Sequence, residues 1–396
     1  MRASPVSSNG STSLNDKLIL GFILIYPLLF NPFFTFFENF EIPKSTFFIL
    51  WTIIFVIINH KLLFRKFTLN IIWNHKILLP YSSFVILVIL NNIGNSLDNT
   101  LFGATNRFDG LLFLISSYLF IITLFLVLNI KPKLNRIDTI IKFLCISGFL
   151  ASIIATLQFL LTSVNFMSED FTYDGRIIST IGQPNVLAGF LMLIVPLISI
   201  TSFSNRTQKV FLLVISLAII LTFSKINILL LIIFVFIKYR KVFKKYYVLS
   251  IITVTLILII SIYFFTSNQF YKILEMYPIF YQLQRLFFFT TDLNLHNSMR
   301  LSMLNDGVNA SIQNWFRGYG VGTIENVLPN EYYMRNYGVI VNSTHNIFLD
   351  KLIESGIFAV SVFVYFLYLL LKNAFKKREY YYGLIFTFFM FMGFFT

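Results

Sequence analysis

Long apolar runs separated by short polar connections pattern this chain from end to end. The runs cover residues 18–37, 45–59, 77–93, 111–130, 143–162, 186–203, 210–223, 226–237, 246–266, 347–371 and 380–396. Several are roughly 20 residues long, which at about 1.5 Å of rise per helical residue spans a hydrocarbon core of about 30 Å. Strands of a membrane barrel would instead alternate apolar and polar positions over about ten residues, and these runs do not. The pattern predicts an all-α, polytopic transmembrane helical bundle of about 11 visible spans. The last run ends at Met392–Thr396 with no polar flank, so a twelfth crossing is expected to follow.

Three polar or short intervals refine this reading. Residues 1–17 form a disordered cytoplasmic tail ahead of an uncleaved first helix, since no small-residue cleavage site follows the apolar run. Spans 1 to 9 occupy residues 18–266. Within them residues 210–237 lie between two basic flanks, a distance too short for two spans of about 20 residues. A short helical hairpin turning back at residues 223–226 fits, with Lys225 at its apex on the outer side. Residues 267–344 form a large outer loop before the C-terminal membrane helices of residues 345–396. In that loop Leu301, Leu304, Val308, Ile312 and Trp315 recur at helical spacing, which predicts an amphipathic helix lying along the membrane surface.

Composition agrees: 57% of residues are hydrophobic and 12% charged, against about a quarter charged in soluble domains. The net charge of +14 resembles a nucleic-acid signal until it is mapped. The N-terminal tail and connections 60–76, 131–142, 205–209, 238–245 and 372–379 hold 21 of the 31 Lys/Arg and 3 of the 17 Asp/Glu. The remainder holds 10 basic and 14 acidic residues. Basic loops mark the cytoplasmic side, so the excess is topological and needs no nucleic-acid partner. One cysteine, Cys145, excludes an intramolecular disulfide and a cysteine-based zinc site. His60, His75, His296 and His345 are scattered, without the spacing of a metal motif. No metal and no other cofactor is expected.

Outer-side cations oppose the topological rule, and Arg107, Arg176, Lys225 and Arg300 stand out among them. Singly, each reads as an interfacial anchor. Together they fit a site for a multiply charged anion such as a pyrophosphate. His345 opens the helix that follows the outer loop. Ser343 or Thr344 is expected to cap that helix, with Asp350 and Glu354 favourable in its early turns. The helix dipole then disfavours imidazolium at His345, leaving a ring able to take a proton or simply to bond loop carbonyls. Gly318, Gly320 and Gly322 in RGYGVGT lack the strand and helix of a nucleotide loop and read as a flexible turn after the amphipathic helix.

Four segments in this order resemble the O-antigen ligase and polymerase family of bacterial membrane glycosyltransferases. They are GRIISTIGQPNVLAGFLMLIVPL, LTFSKINILLLIIFVF, SMRLSMLNDGVNASIQNWFRGYGVGT and STHNIFLDKLIESGIFAV; upstream, FGATNRFDGLLFLISSYL is also similar. The resemblance implies transfer of a glycan from a polyprenyl (undecaprenyl) pyrophosphate carrier to an acceptor hydroxyl. The acceptor is a glycan, a lipid (as in lipopolysaccharide) or a protein, on the outer face of the bacterial cytoplasmic membrane. It also implies inversion at the sugar and no metal. On this resemblance His345 activates the acceptor, Arg300 holds the carrier pyrophosphate, and Arg176, Lys225 and Arg107 add to that hold. Asn346, Asn185, Gly318 and Gly320 support them. At the hairpin apex the family has Ser-Arg-Gly where this chain has Ser224-Lys225-Ile226, which keeps a charge but loses the guanidinium fork.

Two other classes fit a large polytopic chain. A polysaccharide or lipid-linked glycan transporter would show repeat symmetry and ionisable groups at mid-membrane depth, whereas charges here cluster at span ends. A metal-dependent glycosyltransferase would use an acidic pair such as Glu38 and Glu41 in the first outer loop.

Overall fold

A computed structural model describes residues 14–30, 38–63, 76, 78–94, 97–103, 110–130, 134–163, 172–173, 176–239, 291–338 and 340–376. The predicted spans at 246–266 and 380–396, and Arg107, lie outside the described residues. The described chain is overwhelmingly helical. In order come α1 (Leu14–Ile25), a single 3-10 turn (Tyr26–Leu28), α2 (Glu38–Ile58), α3 (His60–Leu63), α4 (Leu78–Asn91), α5 (Leu97–Phe102), α6 (Leu111–Ile130) and α7 (Leu134–Ser163). A two-residue antiparallel ribbon, β1 (Thr172–Tyr173) with β2 (Arg176–Ile177), precedes α8 (Pro184–Ile200), α9 (Asn205–Leu221) and α10 (Lys225–Lys238). Next come α11 (Thr291–Gln313), α12 (Ile324–Val327) and α13 (Asn330–Tyr337), and α14 (Ile347–Lys376) closes the described chain.

Among the described residues three helices are long and apolar enough to cross a membrane: Phe40–Ile58, Asp138–Thr162 and Ile347–Leu369. Leu78–Asn91, Leu111–Val127 and Pro184–Ile200 are apolar but shorter. Helix packing runs from α10 and α8 through α9, α7 and α1, then through α2, α6 and α4 to α14 and α11. One core lies where α7, α8, α9 and α10 meet, around Leu191, Ile194, Ile198, Ile215 and Ile219. A second lies between α4, α6 and α14, around Tyr81, Phe84, Val88 and Ala359. The outer elements have their own core, Met303, Ile324, Leu328, Tyr333 and Ile353.

Boundaries differ from the sequence expectation where local chemistry breaks an apolar run. Within the described part of the first run α1 stops at Ile25, where Pro27 supplies no amide hydrogen and the chain tightens into a 3-10 turn. Conversely α7 begins inside the basic connection, where Asp138 and Lys142 pair one turn apart at 2.9 Å. The largest difference is in α14. Gly356 sits at φ 72°, ψ 175° and interrupts the helix, so Asp350, Lys351 and Glu354 fall before the break and a continuous apolar stretch follows it. Such a backbone is essentially restricted to glycine.

Candidate functional site

The predicted residues fall into two groups carried by different helices. The first surrounds Arg176 in β2. Its Nε donates to the carbonyl of Thr222 (2.9 Å) and a terminal nitrogen donates to Asn185 Oδ1 (2.9 Å). Thr222 closes α9 and Asn185 lies in the first turn of α8, so one guanidinium ties the ribbon to α8 and to the hairpin apex. Residues 222–224 form that apex, with Phe223 in the left-handed region at φ 53°. Ser224 is the N-cap of α10, but its side chain does not cap the helix; its Oγ accepts from Asn227 Nδ2 at 2.9 Å. Lys225, exposed, is the first residue of α10. A lysine ammonium and a helix N-terminus are therefore adjacent, a combination that favours anions.

Arg176 is held there by an irregular buried segment rather than by a helix. Residues 177–180 are buried, and Ser179 adopts φ 52°. Gln158 Oε1, from α7, accepts the amides of Ile178 (3.2 Å) and Ser179 (2.8 Å). Ser179 Oγ donates to the Ala151 carbonyl, Thr180 Oγ1 to that of Pro27, and Lys44 Nζ to that of Thr180. Non-helical backbone inside an apolar protein requires such partners for each peptide group.

The second group is built around His345. His345 itself lies at φ 58°, a left-handed conformation uncommon outside glycine that histidine adopts more readily than most side chains. Its amide donates to Ser343 Oγ at 3.0 Å. Asp350, one turn into α14, reaches back beneath this turn. Its carboxylate accepts from Ser343 Oγ (2.7 Å), the Thr344 amide (2.8 Å) and Thr344 Oγ1 (2.7 Å). The cap of α14 is Asn346, not Ser343 or Thr344. Asn346 Oδ1 accepts the amides of Phe348 (3.1 Å) and Leu349 (3.3 Å), two of the donors left open at a helix start. Ser343 and Thr344 instead serve Asp350.

Helix α11 lies against this turn. A Cβ on Gly307 would sit 2.8 Å from Thr344 Cγ2 and 2.9 Å from Leu349 Cδ2, so a larger residue would push on both side chains. Arg300 is exposed two helical turns earlier on the side Gly307 shares.

Gly318, Gly320 and Gly322 all have positive φ, as a turn requires, but the turn is anchored. The amides of Tyr319 and Gly320 donate to the carbonyls of Ile353 (2.7 Å) and Glu354 (2.9 Å), which the break at Gly356 leaves without helical partners. Ile357 returns a bond to the Trp315 carbonyl at 2.9 Å. Glu354 is 5% exposed, accepts from the Gly322 amide (3.1 Å) and pairs with Lys351 at 2.6 Å. Asn91 and Asn92 at the end of α4 add bonds to the Ser355 carbonyl (2.6 Å) and from the Val321 amide (3.0 Å). Arg317 donates to the carbonyls of Asn91 and Ile93.

Sequence reading missed Asp350 as the residue that sets the His345 turn, and it missed Gly307 and Gly356. Asp350 carried a signal, an acid five positions after the histidine, but it matched an ordinary helix-start acid equally well.

The described fold is that of a helical membrane protein, with a histidine turn at the start of one membrane-capable helix and, separately, Arg176 and Lys225 at the α9–α10 apex. Residues 210–364 match the family Wzy_C, O-Antigen ligase, the family that the motifs resemble. No curated protein and no solved structure matches the chain. The matched stretch contains Lys225, Arg300 and His345; Arg176 and Asn185 lie upstream of it.

Proposed function

We propose that this protein is a glycan ligase or polymerase. It moves an oligo- or polysaccharide from a polyprenyl pyrophosphate carrier to an acceptor hydroxyl on the outer face of the cytoplasmic membrane. The family match over residues 210–364 supports the class of reaction. The observation that carries the assignment is the turn at His345: a strained, left-handed histidine fixed by Asp350 and by the Asn346 cap. Strain of this kind persists only where surrounding structure enforces it, and it concentrates at functional sites.

In this reading His345 takes the proton of the acceptor hydroxyl as its oxygen bonds to the anomeric carbon. The bond from that carbon to the pyrophosphate oxygen breaks with inversion, and the electron pair leaves on polyprenyl pyrophosphate. Arg300 stabilises the charge that develops there. Arg176, Lys225 and Arg107 form the rest of the cationic surround, with the α10 N-terminus adding its dipole. Base catalysis of this type contributes about 10²–10⁴-fold.

The test is release of polyprenyl pyrophosphate from a lipid-linked oligosaccharide by the protein in vesicles, with candidate acceptors, in the presence of EDTA. Release should depend on His345 and Arg300. Full activity in both His345→Ala and Arg300→Ala would overturn the assignment of residues. Flipping of the carrier without release would identify a transporter.

A further inference from the structure

Helix α11 presents three different sides. Met303, Gly307, Ala310 and Ser311 are buried against α14 and the outer core. Asn305, Asn309 and Gln313 form an exposed polar side. Between these runs an apolar line, Leu301, Val308, Ile312 and Trp315, exposed at 67%, 44%, 63% and 56%. Phe316 extends it at the helix end. Water is a poor neighbour for a continuous apolar line of this length, and such patches mark contact surfaces.

What covers it follows from where the line leads. Leu304 and Val308 share an open groove of about 720 Å³ with Phe348, Leu352, Ile357 and Val364 of α14. The ring of Phe316 stands edge-on to Phe358 of α14 at 5.0 Å. Past Gly356, α14 is an apolar membrane helix with Phe358, Val364, Tyr365 and Tyr368 exposed. Lipid is the solvent of that face, and the α11 line and the mainly apolar groove continue it, with Asn346 as the polar residue of the groove lining. The level also fits. The Trp315 carbonyl accepts from the Ile357 amide, just past Asp350, Lys351 and Glu354 of α14, and tryptophan concentrates at membrane boundaries.

We propose that α11 is embedded lengthwise in the leaflet on the His345 side. Lipid hydrocarbon fills the groove and covers Leu301, Val308, Ile312 and Trp315, and the Asn305, Asn309, Gln313 side meets the headgroups. The turn at His345 is thereby held at the depth where a lipid-borne group meets water. This follows from packing and exposure alone and does not depend on the reaction proposed above.

Trp315 reports the outcome directly, because the chain has three tryptophans, Trp51, Trp73 and Trp315. The emission lost in Trp315→Phe isolates its contribution. In vesicles of phosphatidylcholine brominated in the upper part of its acyl chains, that contribution should fall by roughly half or more, as for a side chain about 5–10 Å below the headgroups. Acrylamide in the water should barely affect it. Asn309→Trp in the Trp315→Phe chain should show the opposite balance. If Trp315 is quenched by acrylamide and not by bromine, the helix faces water and the proposal fails. If neither quencher reaches it, another part of this chain or a second copy covers the line, and the proposal fails equally.

Discussion

Substitution of Gly356 by alanine tests the join between the outer loop and α14. The backbone there, φ 72° and ψ 175°, costs a non-glycine residue about 1–3 kcal/mol. The added Cβ would also lie 2.2 Å from the Phe316 carbonyl oxygen and 2.8 Å from the Arg317 carbonyl carbon. Both are backbone atoms, so the loop must move away. The bonds from Tyr319 and Gly320 to α14, and from Ile357 to Trp315, depend on that approach. Each contributes a net of about 0.5–1.5 kcal/mol, which with the backbone cost brings the expected loss to about 2.5–7.5 kcal/mol. Gly338 is the control. It has a similar φ of 68°, but a Cβ there meets nothing within 4 Å, so alanine costs only about 1–2 kcal/mol. Thermal unfolding in detergent should therefore drop far more for Gly356→Ala than for Gly338→Ala. Hydrogen exchange should accelerate at the Gly320 and Ile357 amides in the first variant alone. Equal thermal shifts, or unchanged protection at those amides, would refute the reasoning.

Other substitutions probe the remaining contacts. Asp350→Ala removes three bonds from the His345 turn and should lower pyrophosphate-carrier release by about 10²-fold, the cost of misplacing a reacting group by about 1 Å; Asp350→Asn, able to bond the same groups, should restore most of it. Arg176→Lys cannot serve Thr222 and Asn185 together, and should lower stability by about 1–2 kcal/mol in thermal unfolding. Lys225→Arg should lower the donor KM with little change in kcat, since it supplies a bidentate phosphate partner. Burial, with the Asp306 carboxylate bonded to its hydroxyl at 2.6 Å, raises the Tyr333 phenol above its ordinary value of 10.0. The folded state thus favours the protonated phenol. Stability of the outer core should be full below about pH 10 and decline above it as the unfolded chain ionises first; Tyr333→Phe should flatten that alkaline decline in a denaturant series.

How much of this was readable beforehand depends on whether a residue acts through its side-chain period or through a backbone partner. The apolar runs gave helices α2, α6, α7, α8 and α14, and the helical spacing of Leu301, Leu304, Val308 and Ile312 gave α11, although Leu301, Val308 and Ile312 lie exposed on the protein. The turn between α9 and α10 followed from two basic flanks set too close together. The break in α14 did not follow, since one glycine in an apolar run is commonly tolerated within a helix. Arg176 was legible as a cation, but its partner, the Thr222 carbonyl, is a backbone atom that every residue carries. Asn346 outranked Ser343 and Thr344 as the cap because Asp350 already engages those two hydroxyls, a competition visible only in three dimensions.

The join at Gly356 also bears on how this protein can be altered by descent or by engineering. Removing or exchanging residues 315–322 would leave the carbonyls of Ile353 and Glu354 unpaired beside the membrane, where no water replaces the lost donors. Residues 315–322 and α14 should therefore be exchanged as one piece. A loop grafted from a relative should fold only if its own membrane helix travels with it, while the surroundings of Gly338, open and uncrowded, are where extra residues could be accepted.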